Sequence, residues 1–121
     1  MLKQFMYKIY HNPRCRKSRE ALDFLKTQDV DHEVVLYLEN NFSKEDLKIL
    51  LNQLKIDPKK IIRRQEQVWK ENFKNKDLNE DQYLEIIITY PILIERPIIT
   101  YKNKGVIGRP IDDLVKFVEN N

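Results

Sequence analysis

Met6-Tyr7-Lys8-Ile9-Tyr10-His11-Asn12-Pro13-Arg14-Cys15-Arg16-Lys17-Ser18-Arg19 is the stretch on which the reading of this chain turns. Met6–Tyr10 alternates apolar and polar residues and is rich in aromatic and β-branched types, which predicts a strand. His11-Asn12-Pro13 breaks it, because Pro13 cannot donate to a ladder and restricts Asn12 to extended backbone. From about Arg16 to Thr27 the spacing becomes helical, with Ala21, Leu22 and Leu25 on one face. Glu33–Leu38, containing Val-Val-Leu-Tyr, reads as a second strand. The opening is therefore β-α-β, expected as a right-handed parallel crossover.

Working outward, Ser43 is placed as a helix N-cap with Asp46 three residues on. Leu47, Leu50, Leu51 and Leu54 follow at i, i+3, i+4 and i+7. Asp57-Pro58 is another helix start, with Arg63 and Arg64 ending that short helix. Asn79 and Gln82 form a capping-box pattern for a helix running to about Thr89, and Pro91 stops it. Pro97–Tyr101 reads as a strand, Asn103-Lys104-Gly105 as a turn, and Val106-Ile107 as the hairpin partner. Ile111, Leu114, Val115 and Val118 line a closing helix. The class is α/β, a mixed sheet flanked by helices. A helical insertion at about 43–90 separates a β-α-β half from a β-hairpin-α half, and residues 1–121 are expected to form a single domain.

The bulk properties exclude several roles. Of 121 residues, 41% are hydrophobic and 34% charged, a globular composition with a wet surface. The net charge of +3 is too small to argue for nucleic acid. It suits a small anion if the cations gather. No apolar run approaches the roughly 20 residues of a membrane span, and Lys3 and Lys8 interrupt the apolar start, so no secretory signal is expected. Asn41-Phe42-Ser43 matches a glycosylation acceptor and carries no weight without such a signal. Cys15 is the lone cysteine, which points to a reducing, cytoplasmic setting.

Cys15 falls between strand and helix, where free N–H groups and the helix dipole favour a thiolate. Arg14, Arg16, Lys17 and Arg19 surround it in sequence, and His11 lies four residues upstream. The bland reading is a small buried hydrophobe. Four cations within four residues argue against an apolar setting. A phosphatase loop of the C-x5-R kind is excluded, because Ala21 stands six residues after Cys15. With Gly105 and Gly108 as the only glycines, there is no glycine-rich phosphate cradle. His11, His32 and Cys15 are too few for a structural zinc site, and no metal is expected. His32 reads as a surface residue, and Trp69 with Phe73 as core packing. Arg96 precedes Pro97, and Arg109 precedes Pro110. Arginine forks hold tetrahedral oxyanions well, yet spacing alone does not bring Arg63, Arg96 and Arg109 together. Each has the alternative of a solvated charge, as have Lys59-Lys60 and Arg63-Arg64 as a basic face.

Tyr10–Arg19, Val35-Leu36-Tyr37-Leu38-Glu39, Tyr90–Ile98 and Ile107-Gly108-Arg109-Pro110 together resemble, in order, the motifs of the arsenate reductase family that works with glutathione and glutaredoxin. The likeness runs from about Tyr7 to Val118. It implies a thioredoxin-like fold, with Pro97 at the position of that fold's cis-proline. It implies that Cys15 is the nucleophile, tuned by His11, Ser18 and Arg19 in a loop ordered by Asn12. Arg63, Arg96 and Arg109 would hold the oxyanion, with Arg64 as the alternative to Arg63. The implied substrate is arsenate or a similar oxyanion. Glutathione would be the thiol co-substrate, with glutaredoxin as partner and no bound cofactor. Arg16 and Lys17 depart from the small residues found after the cysteine in the best-established members. The same fold family includes Spx-type transcription regulators, which often carry C-x-x-C here, whereas this chain has Cys15-Arg16-Lys17-Ser18.

Replacing Cys15 with Ser is expected to abolish thiol-dependent turnover and to leave the fold intact, since serine is nearly isosteric and no disulfide is lost. Substantial activity in the serine variant, with an unchanged circular-dichroism spectrum, would remove Cys15 from the nucleophile's role.

Overall fold

The computed structural model describes residues 5–40 and 42–121. Lys3 and Asn41, on which two of the sequence readings rest, lie outside the described residues. The described residues form four strands and five α-helices, β1 (Tyr7–Tyr10), α1 (Arg16–Thr27), β2 (His32–Val35), α2 (Lys44–Leu54), α3 (Gln67–Asn72), α4 (Glu80–Thr89), β3 (Ile98–Tyr101), β4 (Lys104–Ile107) and α5 (Ile111–Glu119). The chain divides into two compact units, one made of 1–37 with 96–121 and the other of 38–95.

The first unit carries the sheet, in the order β2-β1-β3-β4. β1 pairs parallel with β2, from Tyr7 opposite His32 to Tyr10 opposite Val35. It pairs antiparallel with β3, with Tyr10 opposite Ile98. β3 and β4 close a hairpin. Tyr7, Ile9, Ala21, Leu25, Ile99 and Leu114 form a buried cluster, with Leu22, Phe24, Tyr101, Val106, Phe117 and Val118 packed against it. Each fully buried Ile or Leu there contributes roughly 1.5–3 kcal/mol. Tyr7 stacks on Tyr101 with ring centroids 4.3 Å apart. Gly108 lets the turn after β4 close against β3. A Cβ added there would stand 3.1 Å from Ile99 Cδ1, tighter than ordinary packing.

Several boundaries differ from expectation. β2 stops at Val35, not Leu38, because β1 ends at Tyr10 and only one further bond, His11 N–H to Val35 O at 2.9 Å, extends the pairing. Tyr37 is buried in the turn that follows. The β-propensity of that run thus reflects burial rather than strand length. His32 is not a free surface residue. It opens β2, half-buried, with Nδ1 3.0 Å from Val30 O. The hairpin turn is Lys102-Asn103, with Lys102 at φ 56°, and Lys104 and Gly105 belong to β4 opposite Tyr101 and Thr100.

The second unit is helical, as the insertion reading expects. Ser43 Oγ caps α2 by accepting the Asp46 N–H at 3.0 Å, and both bonds of the Asn79–Gln82 capping box form on α4. Lys44 joins the two helices by ion pairs to Asp81 at 2.8 Å and Glu85 at 3.7 Å. Trp69 is buried, stacked with Tyr83 at 6.1 Å. The segment after Asp57 is only a 3-10 turn, Pro58–Ile61, so Arg63 and Arg64 lie beyond it rather than at a helix end. Among the described residues no helix is long and apolar enough to cross a membrane.

α2 ends in a Schellman turn. Lys55 N–H bonds Asn52 O, Ile56 N–H bonds Leu51 O, and Lys55 sits in the left-handed region at φ 57°. That conformation suits glycine and costs other residues about 1 kcal/mol. Lys55→Gly is therefore expected to stabilise the protein by about 0.5–1 kcal/mol, read as a higher urea midpoint with an unchanged slope. A lower midpoint would contradict this account of the cap.

Candidate active site

The break after β1 is built from its own polar groups. Asn12 Oδ1 accepts the Arg14 N–H at 3.0 Å. Asn12 O accepts the Cys15 N–H at 2.9 Å. These two bonds turn the chain sharply and deliver Cys15, in extended backbone, to the N-cap of α1. The turn is held from below by Ser18, which is fully buried. Ser18 Oγ accepts the Asn12 N–H at 3.0 Å and lies 2.6 Å from His11 Nδ1. Arg19 braces the outside, its Nη1 donating to Pro13 O at 2.9 Å. His11, Asn12, Ser18 and Arg19 thus surround one loop, and all four act on its shape.

Burial pushes the Cys15 thiol up, but the Arg96 guanidinium, hydrogen-bonded to it, and the N–H groups of Ser18 and Lys17 outweigh this and hold it below an ordinary thiol's value. No N–H of the first turn makes a regular capping hydrogen bond to the side chain. Those groups act on sulfur as aligned dipoles. The cation that matters is not one of the sequence neighbours. Arg16 turns to Glu20 at 3.4 Å, Lys17 to the same carboxylate at 3.9 Å, and Arg19 to Pro13 O. Burial also pushes the His11 imidazole down, and the charges of Arg19 and Lys26 add to this against the opposing Asp23. The ring is thereby kept neutral at neutral pH.

Arg96 reaches the loop through strand register. Tyr10 pairs with Ile98, so continuing the antiparallel ladder sets position 96 opposite position 12. Arg96 is itself buried, and the Arg96–Pro97 peptide is cis, as is Arg109–Pro110. Arg109, exposed, extends Nη1 to within 3.5 Å of Arg96 O. Cys15 and Arg96 are therefore neighbours, and Arg109 reaches the backbone of that same Arg96 from the solvent side.

Arg63 belongs to the helical unit. Its N–H donates to Leu93 O at 2.7 Å, within a short antiparallel bridge of Ile62 and Ile94. Its guanidinium is buried, with Nε 3.1 Å from Glu66 Oε2 and Nη1 3.9 Å from Glu95 Oε1. Nη1 has no hydrogen bond. Arg64 is exposed and lies over the Trp69 ring, 5.4 Å from its centroid. Of the two, Arg63 is the one built into the structure. Glu66 and Glu95 were not singled out from sequence, although Glu66 stands three residues from Arg63 and Glu95 beside Arg96. Glu20, at i+4 from Arg16 and i+3 from Lys17, was also missed, and that spacing was its signal.

A cysteine thiol at a helix N-terminus, entered from a parallel strand and faced across the sheet by a residue preceding a cis-proline, defines a thioredoxin-like thiol protein. Comparison with known proteins agrees. A structure of an arsenate reductase from Vibrio cholerae superposes with a TM-score of 0.87 at 35% identity, covering 94% of this chain and 98% of that one. An uncharacterized protein of Escherichia coli, YfgD, is 41% identical over 113 residues, 92% of this chain and 95% of that protein. An arsenate reductase of Neisseria meningitidis is 37% identical over 109 residues, 88% and 93% of the two. The model of the ArsC family matches residues 10–117. This chain belongs to the ArsC family.

Because Arg96 both hydrogen-bonds and electrostatically stabilises the thiolate, iodoacetamide alkylation of Cys15 is expected to have its midpoint below that of a free thiol. The reaction rises as pH climbs through this lowered value, since only the deprotonated sulfur attacks. Arg96→Ala should move the midpoint upward, while Arg16→Ala should move it far less. An unmoved midpoint in Arg96→Ala would refute the assignment of the controlling cation.

Proposed function

We propose that this protein is an arsenate reductase that draws its electrons from external thiols, glutathione first and a glutaredoxin second. The observation that carries the reading is the Cys15 thiol hydrogen-bonded by buried Arg96, with Arg109 extending to the Arg96 carbonyl. The names of the Neisseria and Vibrio relatives support the same substrate.

In this reading the Cys15 thiolate attacks arsenic(V), an S–As bond forms, and an arsenate oxygen leaves as water. Arg96 and Arg109 hold the remaining oxygens and take up the developing charge. Glutathione then supplies the second sulfur. Arsenic accepts two electrons and leaves as arsenite, and Cys15 and glutathione, each oxidised by one electron, join in a mixed disulfide. The sequence holds no second cysteine, so an external thiol, here assigned to glutaredoxin, must attack that disulfide and free Cys15. His11, Asn12, Ser18 and Arg19 keep the loop in the shape that presents sulfur. Electrons come from thiols throughout, so the scheme uses no bound cofactor or metal. It suits a reducing compartment such as the cytoplasm.

The test is arsenate-dependent NADPH oxidation with glutathione, glutaredoxin and glutathione reductase present. Robust turnover is expected. Arg96→Ala and Arg109→Ala should each lower kcat/KM by about 30- to 1,000-fold, the equivalent of about 2–4 kcal/mol. Lysine at either position should rescue poorly, because an ammonium lacks the planar fork. No arsenate-dependent oxidation by the folded protein would overturn the reading.

A further inference from the structure

Arg16 and Lys17 open α1 directly after Cys15, and nothing in the chemistry above uses their side chains. Arg16 is 84% exposed and Lys17 50% exposed in their side chains. They do not turn in toward the thiolate. Both run along the helix to Glu20, which is itself 38% exposed. One carboxylate thus tethers two cations over the first turn and neutralises one of them, leaving net positive charge on solvent-facing groups one and two residues from the nucleophile.

In the proposed reaction Arg96, hydrogen-bonded to the sulfur, and Arg109, at the Arg96 carbonyl, serve the oxyanion, and these two groups do not enter it. What arrives next is different. The second reactant must approach Cys15 from solvent, carrying whatever charge its own body has. Exposed charges at a mouth act on such encounters by steering, with an effect that depends on the reactant's charge and fades with salt.

We propose that Arg16 and Lys17, held by Glu20, form a cationic rim that favours anionic over neutral reactants at Cys15. The inference rests on the reading of Cys15 as the reactive thiol. It adds three residues that set the charge preference of that thiol. Arg16 and Lys17 are specificity-determining residues, and Glu20 is a positioning residue that also tempers their charge. Arg14 lies on the other flank of Cys15, and Arg19 is committed to Pro13 O.

The test compares two alkylating reagents of one shape, anionic iodoacetate and neutral iodoacetamide. Both react only with the thiolate, so their rate ratio at Cys15 cancels any change in thiol pKa and reports the local field. A unit charge about 7–10 Å away in water is worth about two- to three-fold in rate. Arg16→Gln with Lys17→Gln should lower the iodoacetate-to-iodoacetamide ratio by about four- to eight-fold. Glu20→Gln should raise it by about two-fold. Both differences should shrink in 0.5–1 M salt, where the Debye length falls to about 3–4 Å. Glutamine is a good helix former, so the fold is retained.

The same variants are then given two disulfides, oxidised glutathione, which carries carboxylates, and the neutral disulfide of 2-mercaptoethanol. In each reaction the Cys15 thiolate forms one S–S bond, the reagent's S–S bond breaks, and one thiolate leaves. The double variant should slow mixed-disulfide formation with oxidised glutathione by at least the factor seen with iodoacetate and leave the neutral reaction within about two-fold. An unchanged iodoacetate-to-iodoacetamide ratio in the double variant, or a ratio lowered by Glu20→Gln, would overturn the proposal. If the ratios shift as expected but arsenate drives no NADPH oxidation, the rim stands and the arsenate reading fails. If arsenate is reduced and the ratios do not move, the rim alone fails.

Discussion

The pairing of Tyr10 with Ile98 is the constraint on which the site depends. Cys15 gains its helix position from local turns, but its stabilising guanidinium comes from 81 residues later in the chain. Only the antiparallel register between β1 and β3 brings the two together. A slip of one residue would reverse the faces of β3 and withdraw Arg96 from the loop. The buried cluster of Tyr7, Ile9, Ile99 and Leu114 fixes that register through hydrophobic complementarity. Core packing and thiolate stability are in this sense coupled.

Beneath the loop, Ser18 carries a comparable burden. A hydroxyl without solvent access must satisfy its hydrogen bonds inside the protein or cost the fold on the order of 1–3 kcal/mol. Ser18 meets that demand by drawing in the Asn12 N–H and the His11 ring. The same bonds that satisfy a buried hydroxyl also set the curvature of the turn presenting Cys15. Gly108 serves the opposite flank by admitting the close approach to Ile99 that positions the turn bearing Arg109.

The sequence carried the elements whose signals are local. α1 was legible from Pro13 and from the Ala21, Leu22 and Leu25 stripe, α2 from Ser43, and α4 from Asn79 with Gln82. The place of Cys15 at a helix start was legible too, because strand, break and helix leave the thiol there. Where the answer depended on distant pairing, local signals misled. Leu36 and Tyr37 look like strand but have no strand opposite them. Lys104 looks like turn but is paired by Tyr101. The cations beside Cys15 in sequence looked like its stabilisers, whereas Glu20 and Pro13 O engage Arg16, Lys17 and Arg19. The convergence of Arg96 and Arg109 required either the register or a family resemblance, since no spacing rule relates a residue after β1 to one before β3.

The strand order has an additional consequence, for colloidal behaviour. β2 and β4 stand at the two edges of the sheet, and an unguarded edge is a template on which a second chain can add a strand. Here both edges are only four residues long, too short for extensive pairing. One exposes Glu33 and the other Lys104, so a like edge would meet like charge. The central strands β1 and β3, richer in Ile and Tyr, are paired on both sides. The segments most able to nucleate cross-β stacking are thereby kept from solvent as long as the hairpin and the crossover remain closed.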